Sequence, residues 1–176
     1  MENIHQLVSE QKDLIIKLRR DLHRIPETAY TEKKTSAYVI DYLKSLGLEV
    51  KTEIAQYGAV GLLKTDKPGP TVMIRADMDA LPLKEDTGLD FASEHDGAMH
   101  ACGHDAHMTM VLGAATIINK IKNELNGTIK FLFQPAEDCP WSNHLHHKVV
   151  THKHSQNQAW EVFCQRSDLN PFPGHL

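Results

Sequence analysis

Residues 105–133 read D-A-H-M-T-M-V-L-G-A-A-T-I-I-N-K-I-K-N-E-L-N-G-T-I-K-F-L-F. Met108, Met110, Val111, Leu112, Ala114, Ala115, Ile117, Ile118 and Ile121 cover most sides of a helix running from Asp105 to about Asn123. A helix apolar nearly all round is buried, not laid on a surface. Asn126-Gly127 then turns the chain into Thr128–Phe133, a strand. A buried helix feeding a strand implies an α/β layer fold, so the rest of the chain must supply more strands and covering helices.

Upstream residues meet that requirement. Ile4, Leu7, Val8, Leu14, Ile15, Leu18 and Leu22 recur at helical spacing over residues 4–24, with Gln11 interrupting the stripe and Pro26 closing it. Thr31 and Glu32 open a second helix over residues 31–45, whose buried side is Tyr38, Val39, Tyr42, Leu43 and Leu46, with Gly47 as its cap. Residues 48–54 alternate as a strand, residues 58–63 form a second, and Asp66–Pro70 turns the chain into a third at 71–75. Residues 77–104 are loop-rich and polar, long for a connection and therefore a candidate functional loop.

Bulk properties exclude some classes. The chain has 176 residues, enough for one domain, and a formal net charge of −4, so no basic face is available for nucleic acid. No apolar run approaches the ~20 residues needed to span a bilayer. The N-terminus lacks the apolar stretch of a signal peptide, and a cytoplasmic location is expected. Twelve histidines are many for this length; four of them (His95, His100, His104, His107) fall within thirteen residues. Three cysteines beside such histidines point to metal or catalysis before disulfides.

Three short segments sit where strands end, where α/β folds place ligands. They are Arg75–Pro82, His100–Met108 at the start of the buried helix, and Gln134–Asp138. Cys102 and His104 flank Gly103, which imposes no Cβ, so thiolate and imidazole can converge on one cation such as zinc. The alternative is a buried cysteine beside a helix-capping Asp105 with surface histidines. Of the adjacent Glu137 and Asp138, one can bind metal while the other takes a proton; alternatively they are a solvated acidic turn. Asp77 and Asp79 can orient a metal-bound imidazole, or form an Asx turn before Pro82.

Taken together, R-A-D-M-D-A-L-P, H-A-C-G-H-D-A-H-M and F-Q-P-A-E-D resemble the M20 metallopeptidase family, in its aminoacylase and hippurate hydrolase branch. L-R-R-D-L-H-R-I-P-E near the N-terminus fits as well, so the resemblance covers about residues 14–140. It implies the N-terminal portion of a zinc-peptidase-like catalytic domain, a mixed sheet flanked by helices, without the family's smaller dimerisation domain. It also implies hydrolysis of the amide bond of N-acyl amino acids at a site with two divalent metal ions (Zn, Mn, Co or Ni). Cys102, His104 and Asp138 would be metal ligands, with Asp138 where many members have glutamate. Glu137 would be the general base and Asp79 the acidic catalytic partner. Asp77 stands where other peptidases of the group have a metal-binding histidine. His100, Asp105 and His107 are left as supporting or unassigned residues. Family members pair as homodimers through the domain not seen here, and the expected partner is a small N-acyl amino acid, with no nucleic acid or membrane.

After Pro140 the periodicity stops, and residues 141–176 form a His-rich tail in which the family's downstream glycine-rich segment and histidine ligands are not found. The expectation is a frameshifted or truncated reading frame, with a poorly ordered tail outside the family pattern. The alternatives are a tail histidine that completes the site, or a non-catalytic metal-binding module.

Overall fold

Strands β1 (Glu49–Ile54), β2 (Gly58–Lys64), β3 (Thr71–Asp77) and β4 (Thr128–Gln134) form one sheet in the computed structural model, which describes residues 4–137. The strand order is β1-β2-β4-β3. β2 pairs antiparallel with both β1 and β4, whereas β3 and β4 are parallel, so the sheet is mixed as expected. A parallel pair needs a crossover, and α4 (His104–Lys120) followed by a single 3-10 turn at Lys122–Glu124 supplies it. The register sets Asp77 opposite Gln134. β3 and β4 therefore end side by side, and α4 starts at that end of the sheet.

Two helices pack on one sheet face, and a third packs against one of them. Leu18 and Leu22 of α2 (Lys12–Arg24), Val39 and Leu43 of α3 (Lys33–Ser45), and Met108, Val111, Leu112 and Ala115 of α4 pack with Leu63, Ala76, Phe131 and Phe133. Burying one side chain of this size contributes roughly 1.5–3 kcal/mol relative to leaving it exposed. The opposite face carries only a small cluster of Val60, Leu62 and Leu132, flanked by Ile54 and Met73.

Two local readings are corrected. The helix expected over residues 4–24 is two, because the Gln11 amide bonds back only three residues, to the Val8 carbonyl at 3.1 Å, which separates α1 (Ile4–Glu10) from α2. In β1 the alternation fails beyond Lys51, where the register with β2 shifts and Glu53 takes a φ of +60°. The extra residue turns Ile54 to the opposite sheet face from Val50.

The turn before β4 requires glycine. Gly127 has a φ of +92°, and a Cβ there would lie 2.1 Å from the Pro70 carbonyl oxygen. The long connection after β3 contains no helix or strand; it is tied down by isolated bridges, Thr28 to Ala80 and Leu81 to Met99. No helix among the described residues is long and apolar enough to cross a membrane. The expected boundary near residue 140 and the tail lie outside the described residues.

Candidate metal centre

The parallel ends of β3 and β4 and the first turn of α4 meet at one edge of the sheet. Gly103, with a φ of +80°, precedes α4 and lets the chain swing sharply into the helix at His104, one residue earlier than expected. His104 and His107 are therefore three apart in one helical turn and face the same side. Their rings lie 5.7 Å apart between centroids.

Asp77 closes the group from β3. Arg75 pairs with its carboxylate and also donates through Nε to Gln134 Oε1 at 2.8 Å, bracing it across to β4. One ligand atom each from Asp77, His104 and His107 lies within 4.8 Å of the other two. Burial pushes the Asp77 carboxyl above the ordinary carboxylate value, and the Arg75 guanidinium partly offsets that.

Asp79, almost completely buried, stands behind the imidazole. His104 Nδ1–H donates to the Asp79 carbonyl oxygen at 2.9 Å, with Asp79 Oδ1 3.5 Å from the same nitrogen. Asp79 Oδ1 also accepts the Glu137 backbone N–H at 3.0 Å. Hydrogen bonding to Asp79 holds His104 above the usual imidazole range, at about 9, against the opposing effect of burial. With Nδ1 engaged, His104 presents Nε2 to the open side, 4.0 Å from Glu137 Oε2. Two imidazoles and a carboxylate, with one ring oriented through its far nitrogen, fit a borderline divalent cation such as zinc, manganese, cobalt or nickel.

A second His–carboxylate cluster lies on another side of the same first turn. Asp105 is fully buried; its Oδ2 meets His23 Nδ1 at 2.5 Å and Arg19 Nη1 at 2.6 Å, and its Oδ1 accepts the Ala106 N–H at 2.8 Å. His23 Nε2 in turn lies 3.2 Å from Glu85 Oε1, whose second oxygen accepts the Ser93 N–H at 2.7 Å. Beside it His100 is buried, and neither ring nitrogen has a partner among the described residues. Burial pushes His100 down to about 4, so it is neutral at physiological pH.

The structure thus groups Asp77, Asp79, His104, His107 and Glu137, and sets His100 and Asp105 behind them. Cys102 is exposed on the turn before α4 and is not in the three-residue group. Asp138 lies outside the described residues. The resemblance assigns no role to His107, and its pairing with His104 follows from the shared first turn of α4. Sequence reasoning passed over Arg19, His23 and Glu85, although His23 adjoins Leu22 of the apolar stripe and lies one turn from Arg19.

Residues 73–159 match the family described as Peptidase family M20/M25/M40, a span that continues past residue 140. The chain is 46% identical over 139 residues to Thermostable carboxypeptidase 1 of Saccharolobus solfataricus, covering 78% of this chain and 35% of that protein. It is 43% identical over 137 residues to the N-acyl-L-amino acid amidohydrolase of Geobacillus stearothermophilus, covering 78% of this chain and 37% of that one. Among solved structures, the YXEP protein of Bacillus subtilis, described as a dinuclear metal binding peptidase, superposes with a TM-score of 0.68 at 39% identity, covering 76% of this chain and 37% of the other. The chain therefore spans about a third of the length of the curated relatives it matches.

Proposed function

Because the chain belongs to the M20/M25/M40 peptidase family, in its amidohydrolase and deacetylase branch, we propose that it forms part of a metal-dependent hydrolase of N-acyl amino acids. The observation that carries this reading is the placement of Glu137 Oε2 4.0 Å from His104 Nε2, at the mouth of the Asp77–His104–His107 group. Relatives that include the amidohydrolase of Geobacillus stearothermophilus and an N-acetyldiaminopimelate deacetylase of Listeria innocua support the substrate class.

His104, His107 and Asp77 would hold one divalent cation. Cys102 and Asp138, assigned from the motif, would complete a two-metal site. When bound, such ions polarise an amide carbonyl and acidify water. Glu137 accepts the proton of the attacking water on Oε2 and delivers it to the leaving amine nitrogen, which needs a carboxylate in hydrogen-bond reach of both. Asp79 fixes the His104 tautomer, so that Nε2 and not Nδ1 would be the ligand atom, and holds the Glu137 backbone amide.

The test is to incubate the purified chain with Zn, Mn or Co and an N-acetyl or N-benzoyl amino acid, and to assay the freed amine. Turnover that Glu137→Gln abolishes supports the hydrolase. Stoichiometric metal binding without turnover assigns the chain as a metal-binding module instead.

A further inference from the structure

Glu32 is the one fully buried glutamate among the described residues, and the role its sequence position implies is not the one it performs. It sits at the N-terminal boundary of α3, yet its side chain makes no capping bond to that helix. Glu27 does that work: its Oε2 accepts the Thr35 N–H at 2.8 Å and the Thr35 hydroxyl at 3.0 Å. Glu32 turns inward instead, and its Oε1 accepts the backbone N–H of Ala136 at 2.8 Å, across 104 residues of sequence.

Ala136 is buried and left-handed, with a φ of +57°, a conformation that costs a residue with a Cβ and persists only when its surroundings enforce it. The next amide, that of Glu137, is held by Asp79 Oδ1 at 3.0 Å. Two buried carboxylates, one from the start of α3 and one from the exit of β3, thus grip successive amides of a strained turn. The second of those amides belongs to the residue assigned as the general base.

We infer that Glu32 is a positioning residue for Glu137, acting by holding the Ala136 amide and so fixing the left-handed turn that aims the base at His104. This rests on the reading of Glu137 given above. Burial together with the nearby Asp79 carboxylate raises Glu32 to about 7. The proton-carrying form still offers an acceptor oxygen, and a glutamine amide offers the same atom in the same place.

The experiment is residue-resolved amide hydrogen exchange on the 176-residue chain carrying Glu32→Gln or Glu32→Met. Methionine fills the volume without a buried carboxyl. In Glu32→Met the Ala136 and Glu137 amides are expected to exchange about tenfold faster, while Phe131 and Phe133 in β4 stay protected. Glu32→Gln is expected to restore protection at both turn amides. In the turnover assay Glu32→Met lowers kcat with KM unchanged, and glutamine rescues it. Wild-type protection of the turn in Glu32→Met would overturn the inference. So would equal loss of protection at Phe131 and Phe133, or a glutamine variant that behaves like methionine. If Glu137→Gln leaves turnover intact, the assignment of the base fails while the exchange result still decides the role of Glu32 in the turn.

Discussion

The first turn of α4 serves two His–carboxylate clusters that differ in how completely their charges are matched. On the inner side, Asp105 is saturated by His23, Arg19 and the Ala106 amide, and His23 passes on to Glu85. On the open side, His104, His107 and Asp77 bring two imidazoles and a carboxylate within 4.8 Å, and Glu137 stands at the rim. The closed cluster has the form of a structural clamp joining α2, α4 and the long loop. The open one has the donor set of a divalent-cation site. Similar residue types within a few positions of sequence are divided by helix geometry alone, because Asp105 points inward while His104 and His107 share a face.

The largest effect expected from breaking this contrast is on the open side. Glu137→Gln should lower turnover by about a thousandfold or more while leaving metal affinity within about twofold. Amine-release kinetics and calorimetric metal titration measure the two quantities. Equal loss of both would make Glu137 a ligand and not a base.

On the closed side the loss should be in stability. Asp105→Ala leaves His23 and Arg19 facing each other around an empty buried position, and should cost about 3 kcal/mol in denaturant unfolding. Arg19 remains about a third exposed, so solvent screens the charge left behind and holds the loss to the low end for a broken buried pair. A variant as stable as wild type would show that the clamp holds nothing together.

The two clusters should also answer pH differently. His104 titrates at about 9, and a cation must displace its Nε2 proton, so metal affinity should rise by about tenfold per pH unit from neutrality to about pH 9. Asp79→Asn should flatten that slope. In the metal-free chain the same raised value adds stability below the ordinary imidazole value of 6.5, and that stability is lost as pH rises through about 9.

His100, behind the closed cluster, has the opposite sign. Its folded value of about 4 lies below 6.5, so the unfolded chain takes up the proton first and stability is lost as pH falls through that window. His100→Leu should remove this loss, a gain of about 2 kcal/mol at pH 5 in denaturant unfolding. No gain at that pH would mean that the imidazole is hydrogen-bonded in solution.

Elements specified by local chemistry were legible in the sequence. The apolar run of α4, the Asn126-Gly127 turn and the glycine after α3 carry their own signals, and the exits of β3 and β4 lie side by side at the end of the parallel pair. What depends on tertiary contact was not legible. The β1 bulge alters no residue type, so nothing in Glu49–Ile54 announces that Ile54 changes face. The grouping of His107 with His104 depends on a helix that begins one residue earlier than its apolar pattern. Glu32 looks like an ordinary helix-opening residue, and only the fold shows that Glu27 has taken that place.

The central claim, that the open group is a metal site, is tested most directly by titrating cobalt into the 176-residue chain and following its visible absorption. The comparison is between wild type and the single variants Asp77→Asn, His104→Ala and His107→Ala. The account expects each variant to lose affinity by about a hundredfold and to change the spectrum, with His104→Ala the most severe. Wild-type affinity and spectrum in all three would place the bound metal elsewhere and contradict it.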